Sequence, residues 1–185
     1  MNGVSFFEGR PRASWLKQWH LEMRSAIDDR ELKVFELIAQ HGPVPDAVLG
    51  MTSGEVAHYF EGARGELEAA ACLMMLAEAE AVLRVDYLSR VRRKGKDPLS
   101  KAFRELHKQK EDRVGLERDL LDIWVDHQND CRAAVSDFRG ALKFRHWLAH
   151  GRYWTPKLGR RYAVRDVFEI TERLFAKLPD VAGWT

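Results

Sequence analysis

Arg145 and His150 stand five residues apart in the run Phe144-Arg145-His146-Trp147-Leu148-Ala149-His150-Gly151-Arg152-Tyr153-Trp154. An arginine is permanently cationic and can bridge phosphate oxygens. A histidine exchanges protons near neutral pH. RNA cleavage needs the ribose 2′-hydroxyl deprotonated, charge stabilised on the phosphorane, and the leaving oxygen protonated. Arg145 suits the second step, and His150 suits the first or the last. No metal and no cofactor is required. The bland alternatives are His150 as a helix cap on a free carbonyl and Arg145 as a surface or ion-paired residue. His146 and His150 are also four apart, a spacing compatible with two metal ligands. A third ligand would have to come from Asp122, Asp126 or His127, so no metal is assigned.

The surroundings are charged one way. Between 138 and 165 stand Arg139, Lys143, Arg145, Arg152, Lys157, Arg160, Arg161 and Arg165, with no acidic residue among them. A second acid-free cluster holds Arg90, Arg92, Arg93, Lys94 and Lys96. With a formal net charge of only +2, the rest of the chain is acidic on balance, and the segregation is a local electrostatic footprint. Tyr153, Trp154 and Tyr162 interleave with the first cluster, as suits stacking on unpaired bases. His146, Arg152, Tyr153, Trp154 and Lys157 are therefore candidate substrate-binding residues. Glu68, Glu78, Glu80 and Asp86 could hold Arg145 or orient a histidine.

The elements that must position these groups read as helices throughout. Apolar residues recur at intervals of three and four. Trp15, Trp19 and Met23 suggest a first helix, and a second starts near Asp28 or Asp29 and stops at Gly42-Pro43. The longest begins at Thr52, where Glu55 three residues on completes a capping box, and runs towards Val91. Asp97 and Pro98 restart the chain as N-cap and first helical residue. Helices are expected over about 98–110, 114–127 and 129–150, with Gly151 as terminating glycine, and a last one over about 166–178. Residues 154–161 read as loop. The 185 residues suit one all-α domain, with 1–50 a helical appendage and about six to seven helices in all. Trp147 and Leu148 suit the core or a dimer contact. The two cysteines, Cys72 and Cys131, form no disulfide framework or zinc spacing, and no apolar run is long enough to cross a bilayer. The expected setting is the cytoplasm. Glycine-rich phosphate loops, catalytic carboxylate pairs and serine or cysteine nucleophile motifs are missing, which leaves kinase, glycosidase and hydrolase readings without support.

The run from Arg145 to Gly151 resembles the signature of HEPN domains, the higher-eukaryote and prokaryote nucleotide-binding family, in which an arginine precedes a histidine late in a helical bundle. The resemblance spans roughly 52–178, and its specific part is the motif and its place in the helix order. It implies a metal-independent endoribonuclease, a toxin or defence effector, acting on RNA as a homodimer, with an antitoxin protein as a further partner. Arg145 and His150 would be its catalytic pair. His146 stands where the family often has asparagine. Arg152, followed by Tyr153, stands where some toxin members have tyrosine. Other members are non-catalytic modules that bind RNA, a nucleotide or a protein. On an ideal helix five residues place two side chains roughly 140° apart. A site shared across a twofold dimer would bring such groups together.

Overall fold

Thr52 accepts a hydrogen bond from the Glu55 N–H at 3.3 Å, and the Glu55 carboxylate accepts from the Thr52 N–H at 2.8 Å. This reciprocal cap starts a helix of 41 residues, Ser53–Arg93, about 60 Å long, around which the other helices pack. In the computed structural model, which describes residues 12–179 and residue 181, six α-helices occur and no strand. They are α1 (Ala13–Ala39), α2 (Ser53–Arg93), α3 (Pro98–Lys110), α4 (Leu121–His127), α5 (Arg132–Ala149) and α6 (Val164–Phe175). The chain is an all-α bundle, as its periodicity predicts.

Three elements differ from the sequence expectation. Trp15 to Ile38 form one helix rather than two. The polar stretch around Asp28 does not break it, because Arg64 of α2 donates to Asp28 at 3.1 Å and to Glu31 at 2.6 Å. The expected helix over 114–127 is interrupted. Gly115 is extended, Asp119 accepts its N–H at 2.7 Å, and Leu116–Leu120 form a single π-turn before α4. The last helix begins at Val164 because Asp166 acts from inside the first turn, accepting the Ala163 N–H at 3.0 Å.

The main core gathers α2, α3, α4, α5 and α6 around Phe103, Trp124 and Phe138, all fully buried. Phe103 meets Tyr87 and Trp124 edge-on, at 5.4 and 6.1 Å between ring centres. Ala13 and Leu16 at the start of α1 join this core. Farther along the α1–α2 hairpin a small second cluster forms from Val34, Val48, Val56 and Phe60. No helix among the described residues is long and apolar enough to cross a membrane.

Candidate functional site

The end of α5 is fixed by hydrogen bonds that only a left-handed residue permits. Gly151 has φ +80°, its N–H reaches the Leu148 carbonyl at 3.4 Å, and the Arg152 N–H reaches that of Trp147 at 3.2 Å. The paired bonds are those of a Schellman cap. The chain then folds back, and the Trp147 indole N–H donates to the Trp154 carbonyl at 2.8 Å. Farther on, Tyr162 stacks on Phe144 at 5.1 Å, so the intervening loop is tied to α5 at both ends.

This frame separates the expected site residues. Arg145 is half-buried on the wall of a cavity of about 380 Å³ between α5, α2 and the π-turn. Its Nη2 lies 3.1 Å from Glu80 Oε2, while Oε1 of the same carboxylate accepts from Arg84 Nε at 2.9 Å. Glu80 thus tethers the guanidinium from α2. Arg145 Nε is buried without a hydrogen-bond partner. A buried donor left unsatisfied in this way is costly. Lys110, Arg113 and Arg118 join Arg145 on the cavity wall, against Glu80, Glu117 and Asp119. The contact with Lys110, reinforced by the Gly115 N–H, holds the Asp119 carboxyl below its usual range.

His146 lines the same cavity, and His150 does not. His150 is the exposed C-cap of α5, its ring centre 4.2 Å from that of His146 one turn earlier. Arg145 and His150 therefore do not share this cavity. Among the described residues no group of three or more His, Cys, Asp or Glu is arranged to hold a metal ion. Asp122 accepts from Arg139 at 2.6 Å, and His127 Nδ1 pairs with the Ile123 carbonyl at 3.0 Å.

The remaining candidates divide. Arg152 is spent on α2, donating to both oxygens of Glu66 at 2.8 and 2.7 Å. Tyr153 is 83% exposed, edge-on to Trp154 at 4.6 Å. Trp154 and Lys157 line a second cavity of about 410 Å³, shared with Lys143, Trp147 and Leu158. Glu117, Leu142 and His146 border both cavities, so the two adjoin. Glu117 and Trp147 are wall residues that sequence reasoning did not assign to the site. Glu117 sits in a mixed-charge run with no distinguishing spacing, and only the fold carries it to α5, where Arg139 donates to its backbone carbonyl at 2.7 Å.

A larger cavity, about 820 Å³, lies elsewhere, between α1, α2 and residues 161–163. Its charges largely satisfy one another. Arg64 pairs with Glu31, and Glu68 accepts the Val164 N–H at 2.6 Å. His20 Nε2 is 2.8 Å from Glu68 Oε2, yet the approach is too oblique for a hydrogen bond. Size alone does not make it the better site, because Arg145 lines one of the adjoining pair and His146 lines both.

No protein-family model, curated protein or solved structure matches this chain.

Proposed function

We propose that this protein is a metal-independent endoribonuclease that works as a homodimer. The observation that carries the reading is Arg145. It lines an open cavity, has a buried Nε without a hydrogen-bond partner, is tethered by one carboxylate, and lies at a helix end bearing two exposed imidazoles. Arg145 would stabilise the negative charge on the phosphorane. One His150 would take the 2′-hydroxyl proton as the 2′-oxygen attacks phosphorus. The departing 5′-oxygen would take a proton from a second histidine, leaving a 2′,3′-cyclic phosphate and a 5′-hydroxyl. Because His150 does not line the Arg145 cavity within one chain, a second copy would supply the missing groups across a twofold axis. The resemblance to HEPN domains agrees with this chemistry and extends it to a toxin or defence effector restrained by an antitoxin protein. The cytoplasm is the proposed setting. Both thiols are free and buried, and burial pushes that of Cys72 up to about 12, in keeping with a protein that does not rely on disulfides.

A non-catalytic RNA-binding module is the second reading. It is favoured by Glu80, which already occupies one edge of Arg145, and by the absence of His150 from the cavity wall. Incubation with single-stranded and structured RNA in EDTA separates the two. Wild type should yield cyclic phosphate ends, and Arg145→Ala or His150→Ala should each slow cleavage by about 10²-fold or more. A folded, dimeric protein that cleaves no RNA in a broad panel would leave the binding module standing. Cleavage that survives both substitutions would remove the motif from the mechanism.

A further inference from the structure

The eight cations of segment 138–165 do not share one fate. Arg139, Arg145, Arg152, Arg160 and Arg165 each pair with a carboxylate. Among the described residues no ion pair involves Lys143, Lys157 or Arg161, and two of these three line the cavity of about 410 Å³ beside Trp154. Glu117 lines the same cavity, and its carboxylate too makes no hydrogen bond or ion pair among the described residues. Unpaired charges of both signs thus line one pocket. Its apolar walls include the Trp147 and Trp154 side chains with Leu158. The volume lies within the usual range of small-ligand sites.

Each wall carries a chemical requirement. Indole and aliphatic surfaces suit the face of a nucleobase. A carboxylate in a phosphate groove repels phosphate, so Glu117 fits a partner that presents donors. An ammonium beside it asks for an acceptor. Guanine offers two adjacent donors, N1–H and the N2 amino group, and the O6 acceptor next to them along one edge. Adenine and cytosine each present one amino donor beside an acceptor, and uracil presents a single imino donor between two carbonyls. His146 lies at the junction with the Arg145 cavity, so a base in this pocket would place its phosphate towards Arg145.

We propose that the pocket between α5 and the 154–158 loop binds a guanine base of RNA, adjoining the phosphate at Arg145. Glu117 accepts from N1–H and the amino group, a lysine of the pair donates to O6, and Trp154 stacks on the ring. The assignment rests on the ribonucleolytic reading and gives it a base preference.

Nucleoside 3′-monophosphates test it directly on the full-length protein by calorimetric titration. Guanosine 3′-monophosphate should bind at least about tenfold more tightly than its adenosine, cytidine and uridine counterparts, as a good paired contact to a base edge provides. Glu117→Gln keeps the size and removes one acceptor, so the guanine preference should fall while adenosine 3′-monophosphate binds as before. The Glu117 side chain is exposed, and circular dichroism checks that the fold is kept. Trp154→Ala should weaken all four nucleotides together. Equal binding of the four, or a preference that survives Glu117→Gln, overturns the proposal. A 2′-O-methyl oligonucleotide UUGUU should bind more tightly than the mononucleotide. If it binds more weakly, the pocket takes a free nucleotide and the RNA assignment fails. Binding is read without cleavage, so a guanine-selective protein that cuts no RNA keeps the pocket and loses the nuclease. A nuclease without guanine preference does the reverse.

Discussion

The two acid-free runs of this chain share a sequence signature and meet opposite ends. In the first, Arg90 is drawn into the structure. Its Nε contacts Asp86 at 2.8 Å, its Nη2 donates to the Pro179 carbonyl at 3.0 Å, and its guanidinium lies 5.2 Å from the ring centre of buried Trp124. The turn that follows is held by Arg104, which donates to the Gly95 carbonyl at 2.7 Å. In the second run the arginines are mostly paired, but Lys143 and Lys157 remain to line a cavity with aromatic walls. The difference is not whether charges go unanswered, since Arg93, Lys94 and Lys96 make no ion pair among the described residues either, but whether they line a common cavity. Linear charge counting sees neither Glu66 nor Glu80, which arrive from α2.

Stability provides the largest contrast between the runs. The Arg90 side chain is 14% exposed and that of Asp86 only 8%. Removing one member of a pair so far from water costs about 3 kcal/mol or more, because the other is left short of a partner. Arg90→Ala should therefore lower unfolding free energy by about 3 kcal/mol in urea titration. Lys143→Ala and Lys157→Ala should each stay within about 0.5 kcal/mol of wild type. Similar losses at all three positions would erase the distinction between a structural and a binding cation.

RNA affinity should invert that order. Each lysine that neutralises a phosphate releases counterions, with a salt-dependence slope of about 0.7 per contact on single strands. On an uncleavable single-stranded RNA, Lys143→Ala with Lys157→Ala should flatten the slope of log affinity against log salt. The expected change is between about 0.7 and 1.4, according to whether one lysine is engaged at guanine O6. Arg93→Ala with Lys96→Ala should leave the slope in place. A slope that responds only to the second pair would transfer the RNA surface to the α2–α3 turn.

How much of this was legible depends on whether the deciding partner was local. Thr52 with Glu55, Asp97 with Pro98, and Gly151 after α5 are caps written within a few residues, and the structure contains all three. The unbroken α1 was not legible, because the support for Asp28 and Glu31 comes from Arg64, more than thirty residues away. The π-turn depends on Asp119 bonding back to Gly115, a preference that competes with the ordinary helical start its apolar spacing suggests. Arg145 was singled out from the sequence and Glu80 was among its candidate partners, whereas Glu117 gave no local signal. Arg152 and Trp154 look equivalent in sequence. The fold sends one to Glu66 and the other to the pocket.

Arg152 provides the finest test of the contrast, since it belongs to the second run but behaves like the first. Its pairing holds the Glu66 carboxyl below the ordinary glutamate range. A depressed folded-state value means that the pair contributes its stability above the unfolded pKa and loses it as pH falls through the lower folded value. The partners' side chains are 38% and 66% exposed, so solvent screening keeps the coupling to about 0.2–1 kcal/mol. A double-mutant cycle of Glu66→Gln and Arg152→Ala should read that coupling at pH 7, find less of it at low pH, and find less again in high salt. Coupling that persists under both conditions would come from packing of the arginine stem rather than from charge. Glu66→Gln alone then decides where Arg152 belongs. If the ion pair is all that withholds it from RNA, freeing the guanidinium should tighten RNA binding and steepen its salt dependence. If the affinity is unchanged, Arg152 is a fastening between the loop and α2, and the binding surface of the second run narrows to the residues around its two cavities.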